Sequence, residues 1–430
     1  MIAEADDSSE ALINEKEITI KKRKKTMKTT STQNGYGLKK FGYISNFSAQ
    51  LSQLNHLLQG TETSLKAYEV DGIVDALVAT NLNSYGCNNF HGAPIDEEHA
   101  AYKVINTGIK TASGEDIVGL FIRNKKRNSF EGVTWTTWRG IRMEITLAGK
   151  PHMGDIYFAS KDAFDSFLES VATSAVPEPW NFSGKPCNCK YPILKSYLEN
   201  IFGKLRKEAA EGKENKVVYS ADGQHILFNT NLPDTFGNDI LILAEVRKKS
   251  NGEEYYENPS MSKSGIFGRR QYGFRDEAKP EPATFFEDVN EVIFQSSWQI
   301  DANFDHLFHI IQDNRSRFPK EYQEKNPAEV AGDLEKAIEL AKRMAKRNFK
   351  YIAPMYRPQK NGIQLLMPIY LSGSYKQAPD FALVLTPEDG IYLPETILPI
   401  EGAYQNARLI AMPDEAWLKP ETIFKGGVAA

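Results

Sequence analysis

The feature that most constrains the fold is a long amphipathic helix pattern that leads into several short, continuously apolar segments. The helix pattern covers residues 328–350, AEVAGDLEKAIELAKRMAKRNFK, and the segments IQLLMPIYL, FALVLT, IYLPETILPI and ARLIAMP follow it. A strand that is apolar along its whole length is typical of a sheet that is buried on both faces. The pattern therefore predicts an α+β fold in which the late segments are strands of a sheet covered on both faces.

The chain of 430 residues is too long for one ordinary hydrophobic core, and its pattern divides into three parts. Residues 1–35 lack helical or strand periodicity and are predicted to be a disordered tail. Residues 36–180 are predicted to form a small α+β domain that ends near the proline-rich segment TSAVPEPWNFSGKP. Residues 186–420 are predicted to form a larger domain of mixed sheet and helix, with a polar insertion at 248–283.

Several other segments show clear periodicity. The segments FSAQLSQLNHLLQG, SKDAFDSFLESVA and PILKSYLENIFGKLRKEAAEG are predicted to be helices, and Ser160 is a plausible cap of the second. The segments DIVGLFIRN, WRGIRMEITLAG, HILFNTNL and DILILAEVRK are predicted to be strands. No internal repeat is apparent.

The composition narrows the class of protein. Lysine and arginine total 52 against 56 acidic residues, so any nucleic-acid or membrane partner would need a local basic patch. No run of about 18 apolar residues predicts a membrane span, and the amino terminus does not resemble a secretory signal. The three cysteines cannot form a disulfide framework, which favours a reducing compartment. We therefore expect a soluble cytoplasmic protein.

The cysteines also raise the question of a metal site. Cys187 and Cys189 could join Cys87 and His91 around zinc, but paired zinc ligands are usually separated by two to four residues. No glycine-rich phosphate loop, G-x-S-x-G, H-E-x-x-H or C-x-x-C motif is present. We predict no bound metal and no cofactor, and leave open whether the protein is an enzyme.

The segment NFDHLFHIIQDNRSRFP, Asn303 to Pro319, combines ionisable and apolar residues. On a helix, His306, His309 and Asp313 would lie near one face, a spacing that could serve a metal ion or a proton transfer. The apolar residues between them leave little room for an open polar pocket. We therefore favour a structural role, in which histidines on a helix surface precede the helix end and the proline stop.

Two basic groups are candidates for contact with nucleic acid. Lysines and arginines follow one stripe of the helix pattern at 328–350 and could grip a phosphate backbone, although cations at a helix end also complement the helix dipole. In the segment GIFGRRQYGFR, aromatic and arginine side chains could contact unstacked bases, or the aromatic rings could pack back onto the domain. The residues of these two groups are Lys342, Arg343, Lys346, Arg347 and Lys350, and Arg269, Arg270, Tyr272 and Phe274.

Six segments, in order, resemble the OST-HTH-associated domain family over roughly residues 186–420. They are YPILKSYLENIFGKLRKE, ILFNTNL, NFDHLFHIIQDNRSRFP, AIELAKRMAKRNFKYIAPMYRP, IQLLMPIYL and AYQNARLIAMPDEAWL. The resemblance implies a bacterial domain of unknown function that occurs alone or beside OST-HTH modules and RNA-binding or nuclease domains. It therefore implies a role in RNA binding or RNA metabolism, by association with the fold. No OST-HTH module is recognisable in this chain.

Three elements of that family map onto the chain. Its Phe-Asn-Thr-Gly-Leu element corresponds to residues 228–232, with Asn231 at the glycine position, where asparagine tolerates the left-handed conformation. Its His, Asp-Asn and Arg-Phe-Pro element corresponds to residues 306–319, and its Asn-Asn-Ala-Arg-Leu-Ile element to residues 405–410. The recurring polar residues suit a ligand pocket better than a reaction centre, because they include no evident nucleophile. They are Asn229, His306, Asn314, Arg317, Gln364, Asn406 and Arg408.

We expect an RNA- or nucleic-acid-binding regulatory module in which six basic residues reach phosphates and the Phe267–Arg275 loop contacts bases. Two alternatives stay open. One is an enzyme that acts on a nucleotide or an RNA end, with His306 as general acid or base and Arg317 or Arg408 at the phosphate. The other is a protein-interaction component without affinity for nucleic acid. The six basic residues are Arg315, Arg317, Arg343, Lys346, Arg347 and Arg408.

Overall fold

The computed structural model has a mixed α+β architecture, as predicted. It describes residues 42, 47–62, 84–86, 100–124, 128–182, 189–249, 252–262, 270–275, 279–375, 378–414 and 417–420. The predicted tail therefore lies outside the described residues. The chain divides into two compact units, a small one of residues 1–149 and 248–254 and a large one of residues 150–247 and 255–430.

Among its described residues, the small unit combines a four-stranded antiparallel sheet with two helices, and the strands lie in the order β1–β2–β3–β4. The predicted helix over FSAQLSQLNHLLQG is confirmed as α1, and the chain turns at Gly60 with φ +81°. The predicted strand DIVGLFIRN is confirmed as β3. The elements are α1 (Phe47–Leu57), β1 (Ser84–Gly86), β2 (Tyr102–Lys110), β3 (Asp116–Asn124), β4 (Ser129–Thr137) and α2 (Trp138–Ala148).

The prediction of a strand over WRGIRMEITLAG is wrong, because these residues form helix α2. The Thr137 side chain accepts a hydrogen bond from the Gly140 N–H at 3.3 Å and caps the helix. Ile141 and Ile145, four positions apart, pack against the cluster that contains Val118 of β3. This spacing places both isoleucines on one helical face. The apolar run that was interpreted as a strand is therefore the buried side of a helix.

The described residues of the large unit form two sheets. The first has six strands in the order β5–β6–β10–β9–β8–β7, and the second has five in the order β11–β15–β14–β13–β12. Helices α3 and α4 precede most of the first sheet, and α5, α6 and α7 precede most of the second. The elements up to the end of the first sheet are β5 (His152–Met153), β6 (Ile156–Tyr157), α3 (Lys161–Ser174), α4 (Pro192–Ala210), β7 (Val217–Tyr219), β8 (His225–Pro233), β9 (Asp239–Lys248) and β10 (Glu254–Ser262). Those that follow are β11 (Gln299–Ile300), α5 (Phe304–Asp313), α6 (Lys320–Gln323), α7 (Pro327–Ala345), β12 (Ala353–Arg357), β13 (Gly362–Ile369), β14 (Phe381–Glu388), β15 (Ile391–Leu398) and α8 (Ile400–Ala407).

Helices α3, α4 and α7 and strands β8 and β9 confirm the corresponding predictions. Ser160 caps α3, since its side chain accepts a hydrogen bond from the Ala163 N–H at 3.2 Å. The compact units divide after Gly149, whereas the sequence placed the boundary in the proline-rich segment. That segment packs into the large unit, because Trp180 and Phe182 are buried in its core.

Two further predictions need correction. The insertion at 248–283 was predicted to lack core-forming residues, but strand β10 lies within it and buries Tyr255 and Tyr256. The segment ARLIAMP was predicted to be a strand, but it contains the end of α8 and the turn that follows. Within the described part of the chain, no helix combines the length and apolar character that a bilayer crossing requires.

The five-stranded sheet is covered on both faces, as its continuously apolar strands predicted. In β13, Leu366 faces one core cluster, while Leu365 and Met367 face another. The first cluster includes residues of α4 and α8, and the second includes residues of α5 and α7. Because successive side chains of a strand point to opposite faces, an unbroken apolar run satisfies both cores.

Candidate functional site

One wall of a cavity in the large unit is a segment without regular secondary structure, residues 280–286, of which 283–286 line the cavity. The Asn231 side chain accepts a hydrogen bond from the Ala283 N–H at 2.8 Å and donates one to the Ala283 carbonyl at 2.9 Å. Asn229 is fully buried and donates to the Pro280 carbonyl at 3.4 Å. Asn231 has φ +58°, so the predicted left-handed conformation at the glycine position is confirmed. The two asparagines hold the wall in place.

A buried carboxylate anchors the same segment from helix α4. Glu208 is fully buried and accepts hydrogen bonds from the Thr284 N–H at 3.2 and 3.3 Å. The Nζ atoms of Lys204, Lys213 and Lys216 lie 3.7, 3.5 and 3.3 Å from its oxygens. A buried carboxylate is tolerated when it is paired and hydrogen-bonded. This network therefore fixes the position of the cavity wall.

Arg408, at the carboxyl end of α8, lines another part of the cavity. Its Nε lies 2.9 and 3.1 Å from the two carboxylate oxygens of Glu178, and its Nη2 donates to Oε1 at 2.6 Å. The guanidinium carbon lies 4.5 Å from the ring centre of Tyr197 and 5.2 Å from that of Trp180. Burial opposes the charged form, but the hydrogen bonds and charge of Glu178 outweigh it and raise the pKa of Arg408 above its ordinary value. Arg408 is therefore a charged but internally paired side chain.

The cavity has a volume of about 420 Å³, which lies in the range of small-molecule sites. Two of the segments that resemble family elements contribute to its lining: residues 228–232 through Asn231, and residues 405–410 through Arg408. Burial raises the pKa of Tyr197 to about 12, although the nearby Arg408 opposes this shift. The tyrosine hydroxyl is thus neutral at physiological pH. The lining residues are Tyr197, Asn231, Ala283, Thr284, Phe285, Phe286, Arg408, Leu409, Ile410 and Ala411.

The basic end of α7 forms a separate surface on the large unit. Arg343, Lys346 and Arg347 are exposed there. Arg343 Nε donates to the Glu339 carbonyl at 3.4 Å, and Arg347 Nη1 donates to the Arg343 carbonyl at 3.2 Å. Among the described residues, none of the three cations has a carboxylate partner. The two arginines contact helix-end carbonyls, and all three residues keep their positive charge uncompensated.

The other two cations of the stripe are paired. Lys342 donates to Glu339 at 2.9 Å and Lys350 to Asp414 at 2.9 Å. We name the uncompensated residues Arg343, Lys346 and Arg347, together with the neighbouring Phe349, the α7 basic patch. The Phe349 side chain is 65% exposed, which is unusual for a phenylalanine. The patch thus combines cations with an aromatic ring in solvent.

The glycine-rich loop is only partly available for contact with a ligand. Phe274 is 4% exposed and packs in a small core with Leu227 and Leu241, which favours the alternative in which the aromatic ring packs back onto the domain. The ring of Tyr272 is partly exposed and lies 5.2 Å from that of His225. Arg270 is exposed, and Arg269 lies outside the described residues.

The side chains around α5 have structural partners. His306 Nδ1 lies 3.3 Å from the carboxylate of Asp301, and both side chains are partly exposed. The Asn314 side chain donates to the Ile310 carbonyl at 2.9 Å and accepts a hydrogen bond from Thr396 at 3.1 Å. These contacts connect the end of α5 to β15.

The other predicted residues of the motifs are similarly engaged. Arg315 Nε donates to the Gln323 carbonyl at 2.7 Å, and Arg317 Nη1 donates to the Ile397 carbonyl at 2.6 Å. Gln364 is buried and donates to Thr386 at 2.6 Å and to Glu395 at 3.0 Å. Asn406 is half-buried on α8 and does not line the cavity.

His306 and Arg408 do not share a site. Helix α5 packs on one face of the five-stranded sheet and α8 on the other. The alternative in which these two residues act on one phosphate is therefore inconsistent with the fold. In the described part of the chain, no group of three or more histidine, cysteine, aspartate or glutamate side chains could hold a metal ion. Cys87, His91 and Cys187 lie outside that part.

Comparison with known families adds one assignment. The family described as a domain of unknown function, DUF3825, matches residues 171–417, more than half of the chain. The chain belongs to the DUF3825 family. The matched DUF3825 region begins within α3 and includes the cavity and the α7 basic patch. No curated protein and no solved structure matches the chain.

Sequence reasoning missed several residues of the DUF3825 region that shape the cavity. Glu178 lies in the segment that was interpreted as a domain boundary, yet it pairs with Arg408. Glu208 follows the apolar stripe of α4, and nothing in its spacing indicates full burial. Phe286 borders the polar insertion. One signal in the sequence could have indicated the cavity. Asn231 and Arg408, which both line it, lie in two segments that resemble elements of the same family.

Proposed function

We propose that the DUF3825 region binds single-stranded RNA, or another single-stranded nucleic acid, through the α7 basic patch. The observation that carries the proposal is that Arg343, Lys346 and Arg347 are exposed and have no carboxylate partner in the described structure. Phosphate contacts by such cations release counterions and supply most of the affinity for a nucleic-acid backbone. The net charge of −4 makes this local patch, rather than a global field, the place for a polyanion.

The aromatic member of the patch supports a single strand rather than a duplex. Phe349 follows Arg347 by two positions and keeps most of its ring in solvent. Unpaired bases stack on exposed aromatic rings with little sequence preference, whereas the bases of a duplex are already stacked. Cations next to an exposed ring are therefore suited to a flexible strand.

The proposal is narrower than the expectation from sequence. Arg315, Arg317 and Arg408 donate to carbonyl or carboxylate groups of the protein, so a phosphate would have to displace those partners. We therefore assign the phosphate contacts to Arg343, Lys346 and Arg347. The resemblance to the OST-HTH-associated domain supports an RNA partner, by association only.

The test is fluorescence-anisotropy binding of a short single-stranded RNA by the full chain across a salt series. Arg343→Ala with Arg347→Ala should weaken binding and reduce the slope of log K against log salt by about 1.4, because each lost contact with a single strand removes about 0.7. Lys320→Ala with Lys336→Ala is the matched control, since it removes the same charge from exposed positions outside the patch. This control should retain the slope of the wild type.

Three outcomes would overturn the proposal. Binding that does not depend on salt would exclude binding through contacts with the phosphate backbone. An equal change of slope in both double variants would show a response to net charge rather than to the patch. Undetectable binding at low salt would favour the alternative that the α7 basic patch binds an acidic protein partner.

A further inference from the structure

We infer that the cavity beside Arg408 binds an uncharged, planar heterocycle of the nucleobase class. The inference goes beyond the proposed function, because it requires neither a phosphate nor the α7 basic patch. Its basis is the combination of a paired guanidinium, a neutral phenol and two phenylalanine rings in one cavity of about 420 Å³.

The charge state of the cavity argues against an anionic ligand. Glu178 already holds the guanidinium of Arg408 through Nε and Nη2. The ion pair carries no net charge. A phosphate that approached Arg408 would be repelled by the adjacent carboxylate of Glu178. Desolvating an anion without an uncompensated cation is unfavourable. The site therefore selects against phosphate and carboxylate groups.

The same pair leaves hydrogen-bond donors. Glu178 takes the N–H of Nε and one N–H of Nη2, and Tyr197 also forms a hydrogen bond with the guanidinium, so at most two of the five N–H groups of Arg408 remain for other acceptors. The Tyr197 hydroxyl is protonated at neutral pH, since burial raises its pKa to about 12, and it donates to the Asn231 carbonyl at 3.4 Å, so the donors left for a ligand belong to the guanidinium. Carbonyl oxygens and ring nitrogens at the edge of a base match this arrangement of donors.

The cavity also offers aromatic surface. The Phe285 ring packs edge-on against Tyr356 with centres 4.8 Å apart, which fixes its orientation. Phe286 lines the cavity with its side chain 37% exposed. An exposed ring beside buried donors suits a flat ligand that stacks on one side and forms hydrogen bonds at its edge.

The wall is organised before any ligand enters. The Asn231 side chain forms hydrogen bonds with the N–H and the carbonyl of Ala283, and the Glu208 carboxylate accepts one from the Thr284 N–H. A wall that is already fixed loses little conformational entropy on binding, which favours affinity for a small ligand.

The test uses adenosine, guanosine, cytidine and uridine as free nucleosides, with inorganic phosphate as the charged probe. Binding to the full chain is measured by saturation-transfer NMR and isothermal titration calorimetry. We expect at least one nucleoside to bind, its 5′-monophosphate to bind within about threefold, and phosphate alone not to bind. Stronger binding of the monophosphate by tenfold or more would overturn the assignment, because it would require an uncompensated cation in the cavity.

Variants locate the site without removing Arg408, whose loss would leave Glu178 buried and unpaired. Ala411→Trp should fill the cavity and abolish nucleoside binding, while Met412→Trp, at the exposed neighbour that does not line the cavity, should leave it unchanged. Phe286→Ala should weaken binding about tenfold through loss of one stacking ring. Thermal melting confirms that each variant is folded.

The inference fails if no nucleoside binds to the wild type at millimolar concentration, or if folded Ala411→Trp binds as well as the wild type. The RNA experiment can succeed or fail separately. Nucleosides carry no phosphate, and the α7 variants leave the lining of the cavity intact.

Discussion

Arginines of the large unit occupy two contrasting environments. Arg408 is buried, holds Glu178 in a bidentate pair and lies against the rings of Tyr197 and Trp180. Arg343 and Arg347 lie in solvent and contact only backbone carbonyls among the described residues. The first environment compensates the positive charge and the second leaves it available. A charge pattern in a sequence does not distinguish these cases, because the partner of Arg408 lies more than 200 residues away.

The buried pair at the cavity and the exposed cations of the α7 basic patch therefore have different roles in the large unit. A compensated guanidinium is a rigid hydrogen-bond donor and is costly to disturb. An uncompensated one in water contributes little to folding but can bind a phosphate. Changes at the cavity should therefore affect stability strongly, and changes at the patch should affect binding with almost no loss of stability.

The largest expected effect follows from breaking the buried pair. Glu178→Gln keeps the shape of the side chain but leaves the Arg408 charge without its counter-ion. We expect the free energy of unfolding to fall by about 3–5 kcal/mol, the usual cost of removing one partner of a buried pair. Urea denaturation followed by circular dichroism measures the change.

The α7 double variant, Arg343→Ala with Arg347→Ala, is the control for the Glu178→Gln result. It should change the unfolding free energy by no more than about 0.5 kcal/mol, as exposed substitutions usually do. A similar loss of stability in both proteins would contradict the contrast between the two environments.

An intermediate effect is expected at Asn231, where the backbone and the side chain act together. Asn231→Gly keeps the φ of +58° but loses both hydrogen bonds to Ala283, a loss of about 1–3 kcal/mol. Asn231→Ala should cost about 1–2 kcal/mol more, because alanine disfavours the left-handed conformation. Equal stability of the alanine and glycine variants would show that the backbone relaxes at this position. Chemical denaturation of both variants provides the comparison.

The sequence predicted the elements with strong periodicity. The apolar stripes of α3, α4 and α7 each match a buried helical face, and the unbroken apolar runs of β13 and β14 match a sheet buried on both sides. These elements follow from local pattern, because each spacing allows one way of burying its apolar residues.

The failures occurred where tertiary packing overrides the local pattern. In helix α2, Ile141 and Ile145 are four positions apart, a helical spacing, and the strand prediction followed the apolar run instead; the sheet beneath the helix buries that side. Strand β10 is polar along much of its length and contributes mainly Tyr255 and Tyr256 to the core. Its position is set by pairing with neighbouring strands in the sheet order, which a single sequence does not encode locally.

The candidate site was predictable only in part. The motif resemblance singled out Asn229 and Arg408, which the structure brings to one cavity wall and its lining. It also grouped His306, Asn314 and Arg317 with them, although these residues lie around α5, on the other face of the sheet. Recurrence in a motif does not separate a ligand contact from a buried structural hydrogen bond, since both require a polar side chain.

The smallest effect should appear only at alkaline pH and only at the cavity. Burial raises the pKa of Tyr197 to about 12, so the folded state holds the phenol proton more tightly than the unfolded state, whose phenol titrates near 10. This contribution to stability is fully present below pH 10 and is lost as the pH rises towards 12. In the wild type, the unfolding free energy should therefore fall as the pH rises from about 10 to 12. Tyr197→Phe should make this slope less steep by up to about 1.4 kcal/mol per pH unit. Tyr272→Phe, at an exposed phenol outside the cavity, is the matched control, and an equal change of slope in both variants would locate the effect outside the cavity.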